Sequence, residues 1–120
     1  MPSDNSVIYE VKITETAWEQ MIEHAKFLAN VSVDAAGRLV DEFVEKSNSL
    51  ARMPDRCPWL VHRVLPLKRY RKMLFGKYYM ALFETIGNTV YVASVFDCRQ
   101  DYNWLLYRFK QGQNLKEGLG

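Results

Sequence analysis

A basic stretch in the middle of the chain carries the side chains best suited to chemistry on a phosphate. Lysine and arginine bind phosphate through charge-assisted hydrogen bonds, so such a stretch predicts contact with a nucleic acid or with an acidic protein. The alternative is a solvated sheet edge, because basic side chains also protect edge strands from aggregation. Between residues 56 and 83 there are seven bases and no acid, namely Arg56, Arg63, Lys68, Arg69, Arg71, Lys72 and Lys77.

The net charge of +2 for the 120-residue chain hides this uneven distribution. Residues 1–55 hold ten acids and five bases, a net of −5, whereas residues 84–120 hold four of each. The hydrophobic fraction of 48% and the charged fraction of 25% are ordinary for a globular domain. No apolar run approaches the ~20 residues of a membrane helix, and the first residues lack the features of a signal peptide. We therefore expect one cytoplasmic domain with no membrane partner.

The sequence offers little for metal or thiol chemistry. Cys57 and Cys98 are too few for a disulfide framework, and in a cytosol they would stay reduced. Neither has a second Cys or His at ligand spacing, so we expect no metal and no cofactor. His62 lies outside any motif and is more simply interpreted as a surface histidine than as a catalytic one.

The N-terminal part predicts a strand followed by a helix. Apolar and polar residues alternate over residues 7–13, which is the period of a β-strand. Thr16 and Glu19 have the spacing of a capping box and predict the start of a helix that runs to about Ala29. Phe27 falls in the apolar stripe of that helix, which we expect to face the core.

A second helix should follow after a short break. Ser32 is the predicted cap, and apolar residues at helical spacing continue to about Met53. Pro54 and Pro58 then stop the helix. Because the break is short, the two helices should form an antiparallel hairpin.

The basic stretch leads into a predicted antiparallel meander. Gly76 and the pair Gly87-Asn88 supply the residues that tight hairpin turns need. The segment 59–66 is predicted as an extended loop or an edge strand, since Pro66 argues against a central one. Runs rich in Tyr, Phe and Val place the three strands at about residues 70–75, 78–85 and 89–97.

Helical spacing returns near Asp101, so the fold class is α+β. The order is an N-terminal strand, an antiparallel helix hairpin, a three-stranded antiparallel meander and a short C-terminal helix. We expect one domain over residues 1–110 and a flexible tail over residues 111–120. The first strand should pair with an edge of the meander and the helix pair should cover one face, leaving Tyr, Arg and Lys side chains open on the other.

Three segments carry a resemblance to a known family: Tyr70-Arg71-Lys72, Lys77-Tyr78-Tyr79 and the run from Asp97 to Tyr102. In this order, within residues 7–106, they resemble the RelE/ParE superfamily of toxins from bacterial type II toxin–antitoxin systems, also called plasmid stabilisation or addiction modules. The resemblance implies a growth-inhibiting toxin. It also implies a cognate antitoxin, which we expect to be acidic and partly disordered.

RelE-like members enter the ribosomal A site and cut mRNA, which needs a base, an acid and cations around the phosphate. ParE-like members poison DNA gyrase and cut no RNA. Ribosome-dependent, metal-independent mRNA cleavage is the first expectation here, and the resemblance implies the catalytic residues Arg71, Lys72, Arg99 and Tyr102. For RNA binding it implies Lys68, Arg69, Lys77 and Tyr79.

Two departures from the RNA-cutting members favour other functions. Tyr79 occupies a position where many of them carry arginine, and their tyrosine in the final helix would fall near Leu105, so that Tyr102 matches it only approximately. One alternative is a ParE-like inhibitor of DNA gyrase that is not a nuclease. Another is a non-toxic binding module of the same fold. Arg99 has its own alternative, which is to hold the chain turn through Asp97 or Asp101.

Overall fold

The computed structural model describes the backbone of residues 7–119 and, within it, all side chains except those of Tyr102 and residues 114–119. The strands form one sheet in the order β1-β4-β3-β2, with β1 parallel to β4 and the other pairs antiparallel. The predicted α+β class and the pairing of the first strand with the meander edge are confirmed. The elements are β1 (Glu10–Ile13), α1 (Glu15–Ala29), α2 (Val33–Ser49), a 3-10 turn (Pro54–Arg56), β2 (Arg71–Phe75), β3 (Tyr79–Ile86), β4 (Thr89–Asp97) and α3 (Tyr102–Leu119).

Side-chain caps begin both helices of the hairpin. Ser32 Oγ accepts a hydrogen bond from the amide of Ala35 at 3.1 Å, which confirms the predicted cap of α2. The predicted cap of α1 is wrong by two residues, because Thr14 rather than Thr16 accepts from the amide of Ala17, also at 3.1 Å. The Thr14 hydroxyl also donates to the Val92 carbonyl oxygen of β4 at 2.9 Å. This contact with the sheet holds Thr14 at the turn between β1 and α1, where it caps the helix.

The helix hairpin covers one face of the sheet, as expected. Phe43 of α2 is fully buried, with the ring of Trp18 at 5.5 Å and that of Phe75 at 5.3 Å between centroids. An aromatic side chain of this kind buries roughly 150–250 Å². Its removal from water is a main reason that α1 and α2 stay on the sheet.

The opposite face is covered too, so the expectation of an open functional face is wrong. Leu106 of α3 is fully buried there. The segment 59–66 is a loop that touches β2 through one bridge, between Trp59 and Arg71. Together with α3, the chain before β2 closes a second apolar cluster made of Leu60, Leu65, Tyr70, Met80, Leu82, Phe96 and Leu106.

A β-bulge in β4 decides which side chains share a face near the end of the sheet. Leu82 is paired with Ser94 and Phe83 with Val92, so Ala93 is an extra residue in β4. After the bulge, Asp97 lies opposite Tyr79 in the register. Directly paired residues share a face, so the bulge brings Asp97 to the side of the sheet where Tyr79 packs.

The last helix is longer than predicted. α3 continues beyond residue 110 to Leu119, which includes most of the segment predicted as a tail. The side chains of residues 114–119 and all of Gly120 lie outside the described residues. The division into a domain over residues 1–110 and a flexible tail therefore stays a prediction.

Candidate functional site

Two arginines of the basic stretch hold the protein's own structure. Arg56 donates to three carbonyl oxygens near the end of α2, at 2.7 to 3.3 Å. These contacts provide donors to carbonyl oxygens at the C-terminal end of a helix, which have no partner within the helix. α2 ends at Ser49, before the predicted end near Met53. Arg69 pairs with Glu84 of β3, with 3.2 Å between Nε and Oε1.

Arg71, predicted to be catalytic, is occupied by the loop before β2. Its Nη1 donates to the carbonyl oxygens of Cys57 and Asp55 at 2.5 and 3.2 Å. Its guanidinium lies over the ring of Trp59, 3.6 Å from the centroid. These contacts fasten the loop to the outer edge of the sheet, which is a structural use of an arginine.

Lys72 lies on the opposite face from Arg71. The residues packed under the helix hairpin, among them Phe43, Phe75 and Phe83, form the first apolar cluster. β2 pairs in unbroken register with β3, so that Arg71 lies opposite Phe83 of this cluster and Lys72 opposite Leu82 of the second. Successive side chains of a strand point to opposite faces. The two cations predicted to share a catalytic site therefore do not converge.

Arg99 forms a bidentate ion pair with Asp97 at the end of β4. Its Nε and Nη2 lie 3.0 and 2.9 Å from the two carboxylate oxygens, and its backbone amide also donates to Oδ1 at 3.0 Å. The hydrogen bond from Arg99 is the largest influence on Asp97 and lowers its pKa, while the same contact raises the pKa of Arg99. The arginine side chain is still 55% exposed, so it holds the chain turn and faces solvent at once.

The two adjacent tyrosines at the start of β3 divide between core and surface. Tyr79 is 6% exposed and Tyr78 is 40% exposed. Arg99 lies 4.4 Å above the ring of Tyr78 and donates to the hydroxyl of Tyr79 at 3.4 Å. Lys77 Nζ lies 5.3 Å from the Tyr78 ring. The exposed ring beside Arg99 is thus that of Tyr78, whereas Tyr79, the tyrosine predicted for RNA binding, is buried.

The phenol of Tyr79 is a poor proton acceptor. Burial raises its pKa, and the nearby charge of Asp97 raises it further, against a smaller opposite effect from Arg99. It therefore stays protonated at neutral pH and cannot act there as a general base.

Two side chains of α1 that the sequence analysis did not single out meet the end of β4. Gln20 Oε1 accepts from Ser94 Oγ at 2.9 Å and from the amide of Val95 at 2.8 Å. His24 Nε2 lies 3.5 Å from the Val95 carbonyl oxygen, and its ring meets that of Tyr79 edge-on at 5.3 Å. The spacing of four residues indicates that Gln20 and His24 share a helix face, but not which strand that face meets.

These two side chains cover a sheet edge that β1 leaves unpaired. β1 pairs with β4 only as far as Val92. Beyond it, the β4 edge forms the floor of a groove of about 480 Å³ between α1 and α3. Arg108 and Phe109 of α3 line its far side. Side chains that bond an open edge protect it against pairing with other chains.

The remaining predicted residues are spread along the chain. Tyr102 begins α3, and its side chain lies outside the described residues. Lys68 is exposed in the loop before β2, and Lys77 is exposed in the turn after it. The structure thus brings Lys77, Tyr79 and Arg99 together at one end of the sheet. It places Lys68, Arg69 and Arg71 at the other end of β2, roughly 13 Å away along the strand.

No chemical group in the described part of the chain suggests metal or thiol catalysis. Among those residues, no three His, Cys, Asp or Glu side chains are grouped to hold a metal ion. Burial is the largest influence on both Cys57 and Cys98 and raises their pKa values, which disfavours a reactive thiolate. No helix in the same part is long and apolar enough to cross a membrane.

The end of the sheet presents side chains that can contact a partner. We call Lys77, Tyr78, Asp97 and Arg99 the Arg99 surface. It presents a half-exposed tyrosine ring and a guanidinium held in place by its carboxylate. Tyrosine and arginine dominate binding energy at many protein interfaces, and an oriented guanidinium loses less conformational freedom when it binds.

Comparison with known proteins agrees with this fold. The family model for the ParE toxin of the type II toxin–antitoxin system parDE matches residues 11–102. A solved structure of the chromosomal ParDE toxin–antitoxin system from P. aeruginosa is similar, with a TM-score of 0.60, 15% identity, and coverage of 77% of this chain and 98% of that chain. The toxin–antitoxin complex RelBE2 from Mycobacterium tuberculosis has a TM-score of 0.49, 24% identity, and coverage of 79% of this chain and 97% of that chain. A search of curated proteins finds no match.

Proposed function

Because the chain belongs to the ParE toxin family of type II toxin–antitoxin systems, we propose that it arrests growth by binding DNA gyrase and not by cutting RNA. The observation that carries the proposal is the occupation of the predicted catalytic arginines by the protein's own oxygens. Arg71 donates to the carbonyls of Cys57 and Asp55, and Arg99 to the carboxylate of Asp97. These oxygens compete with a phosphate for the N–H donors of each guanidinium.

Tyr79 and Lys72, two groups that could serve as the base for RNA cleavage, are poorly suited to that role, which supports the same proposal. RNA cleavage through the 2′-hydroxyl needs a proton acceptor within hydrogen-bond reach and with a pKa near the working pH. Tyr79, the phenol that Arg99 contacts, has a raised pKa. Lys72 lies on the opposite face of the sheet from Tyr79, since its strand neighbours Met73 and Arg71 face the helix hairpin. A protein that only binds its target needs neither group.

A nuclease remains the second candidate, and one observation favours it. Lys77 and Tyr78 are exposed beside the half-exposed Arg99. A phosphate could compete with Asp97 for the guanidinium fork, which suits both groups. A non-toxic binding module is the third possibility, and it differs from both by leaving growth unaffected.

A cognate antitoxin is part of the proposal. The two solved structures with similar folds are described as toxin–antitoxin assemblies. We expect an acidic, partly disordered chain that covers exposed cations such as Lys68 and Lys77. Co-expression tests this directly, because an acidic antitoxin encoded beside the toxin should co-purify with it and restore growth. Failure of both would remove the antitoxin from the proposal.

Two assays on the same purified protein separate the mechanisms. The first is primer extension on an mRNA in a cell-free translation reaction, and the second is a cleavage-complex assay with supercoiled DNA, gyrase and ATP. We expect intact mRNA and accumulated gyrase–DNA breaks. New ribosome-dependent 5′ ends, lost in Arg99→Ala but kept in Lys46→Ala, would instead establish the nuclease. The second variant removes an exposed cation of α2 that is not part of the Arg99 surface.

A further inference from the structure

The outer side of α3 carries two exposed aromatic rings next to cations. Trp104 and Tyr107 are 53% and 52% exposed, and their spacing of three residues places them on one side of the helix. The guanidinium of Arg108 lies 4.9 Å from the centroid of the Trp104 ring. The helix therefore presents flat apolar rings together with positive charge.

Exposed apolar side chains alone do not mark such a surface. The sequence predicts that Phe27 faces the core, and this prediction is wrong, because Phe27 is 80% exposed near the end of α1. Apolar residues of this kind are common on protein surfaces. The rings of α3 differ from Phe27 because one of them also lines a groove that contains cations.

This groove, of about 470 Å³, lies between α3 and the loop before β2. It is lined by residues 63–66 of the loop and by Tyr107, Lys110 and Gln111 of the helix, and we call it the Tyr107 groove. Each wall carries one cation, Arg63 on the loop and Lys110 on the helix. The described residues include no ion-pair partner for either of them.

Hydrogen bonds hold the two walls of the groove together. The amide of Val64 donates to His62 Nδ1 at 3.3 Å, so the other ring nitrogen carries the proton and donates to Asn103 Oδ1 at 2.8 Å. The loop is thereby attached to the first turn of α3, and Leu65 and Leu106 are buried together in the second apolar cluster. A groove that is fixed before binding loses little conformational freedom when a ligand enters it.

Both walls of the Tyr107 groove come from segments without acidic residues. The loop lies within residues 56–83 and the helical wall within residues 102–116, and neither segment contains Asp or Glu. Asp101 precedes the helix and accepts from the amide of Trp104 at 3.2 Å, about 9 Å from Tyr107 along the helix axis. The charge of the groove therefore favours an anionic ligand.

A carboxylate on the neighbouring face of the sheet does not change this balance. Glu84 lies two residues after Leu82 in β3 and so faces the same side of the sheet as the second apolar cluster. Its Oε1 is 3.2 Å from Arg69 Nε, and the two charges offset each other.

A single strand of nucleic acid fits the groove better than other anions. Its unpaired bases can stack on a tyrosine ring while its phosphates contact the cations on either side. The bases of a duplex are stacked on one another and leave no face for Tyr107. An anionic membrane is ruled out by shape, because a membrane-bound helix lays its apolar side in the lipid, whereas Leu106 and Phe109 of α3 pack on the protein's own cluster.

We propose that the Tyr107 groove binds a single strand of DNA, with Tyr107 stacked on a base and with Arg63 and Lys110 on the flanking phosphates. The inference rests on the proposed function and deepens it. Gyrase acts on DNA, so a toxin that binds the enzyme and a DNA strand at once can hold the two together.

Fluorescence anisotropy with a labelled DNA strand of about 12 nucleotides tests the groove directly. Tyr107→Leu removes the ring and Tyr107→Phe keeps it, while Arg63→Gln and Lys110→Gln each remove one charge. The matched control is Lys46→Gln, which removes an exposed cation of α2 that does not line the groove. Circular dichroism records whether each variant keeps the fold and the Tm of the wild type.

We expect Tyr107→Leu to weaken binding by about tenfold, whereas Tyr107→Phe and the control stay within about twofold of the wild type. Each charge substitution should lower the slope of log affinity against log salt by about 0.7. The same titrations with a duplex, with an RNA strand of the same sequence and with a polyglutamate peptide compare the possible ligands.

The groove is refuted if the wild type does not bind the DNA strand, or if Tyr107→Leu and both charge variants bind it as tightly as the control does. Tighter binding of the duplex, the RNA or the peptide than of the DNA strand would also overturn the inference. In each of these cases the gyrase cleavage assay still decides the proposed function. If the groove binds DNA as expected but no gyrase–DNA breaks accumulate, the proposed function fails and the DNA site stands.

Discussion

The turn that carries Lys77 and Tyr78 depends on Gly76. We expect Gly76→Ala to destabilise the protein more than the same change at Gly87. Gly76 has a φ of +56°, and an added Cβ would lie 2.5 Å from Leu39 Cδ1 of α2. Its amide donates to Glu42 Oε2 at 2.8 Å, which holds the turn against the helix. Gly87, in the turn between β3 and β4, has a similar φ of +61° but nothing within 4 Å of the added carbon.

The pair of glycines separates the backbone cost from the packing cost. A left-handed conformation costs an alanine roughly 1–2 kcal/mol, which the stiffer unfolded chain offsets by about 0.4–1 kcal/mol. Gly87→Ala should therefore lower the free energy of unfolding by about 1 kcal/mol. Gly76→Ala carries the same cost plus overpacking against Leu39, which adds roughly 1–3 kcal/mol. For a chain of this length the excess corresponds to a further fall in Tm of roughly 4–12 °C.

Urea and thermal unfolding of the two variants, followed by circular dichroism, measure the difference. Leu39→Val removes the crowding methyl groups, so in that background the two alanine substitutions should have nearly equal effects. Equal losses in the wild-type background, within about 0.5 kcal/mol, would refute the close approach of the turn to α2. If Gly76→Ala is still more destabilising than Gly87→Ala in the Leu39→Val background, crowding against Leu39 is not the cause of the difference.

Three further predictions concern polar groups. Asp97→Asn removes a carboxylate whose pKa is lowered by Arg99. The stability advantage of the wild type over Asp97→Asn should therefore be complete above the ordinary aspartate pKa of about 3.9. It should decline as the pH falls through the lowered pKa of Asp97. A stability difference between the two proteins that stays constant from pH 7 to pH 2.5 in urea unfolding would contradict this. Ser47 has a buried hydroxyl with no hydrogen-bond partner among the described residues. Ser47→Ala should therefore leave the free energy of unfolding unchanged or raise it by up to about 1 kcal/mol. A clear loss of stability in the same assay would show that the hydroxyl has a partner. Arg71→Gln should lower the free energy of unfolding by about 1–3 kcal/mol while the folded protein still arrests growth; unchanged Tm with lost toxicity would return Arg71 to a functional role.

The elements of this fold were largely readable from the sequence because each has a strong local signal. The third meander strand, predicted at residues 89–97, is β4 itself, and Ser32 caps α2 as its type and position indicate. The covering of the second face of the sheet was not readable. Covering it depends on how far α3 continues and on where the loop with Leu60 and Leu65 folds back, and both are settled by long-range packing.

The bulge at Ala93 explains most of what the sequence could not show at the site. In a strand with uninterrupted alternation, Val90, Val92 and Ser94 would face the helix hairpin. Val95 and Asp97 would then lie on the other face of the sheet. The extra residue resets that period, so that Val92 and Val95 both join the first apolar cluster. Asp97 then faces Tyr79 and reaches Arg99, and no local pattern of residue types announces the shift.

The basic stretch was the strongest functional signal in the sequence, and its proline content indicates another use for the arginines. Pro54 and Pro58 have no amide hydrogen, so the segment that they bound supplies carbonyl oxygens in excess of donors. Arg56 and Arg71 flank this segment and donate to five of its carbonyls or those of the preceding helix end. A cluster of arginines beside a proline-rich break thus has a structural explanation that must be weighed before a phosphate is assigned to it. By the same reasoning, the cations that remain for a partner are those without such carbonyls nearby, above all Lys77, which lies beside Tyr78 on the Arg99 surface.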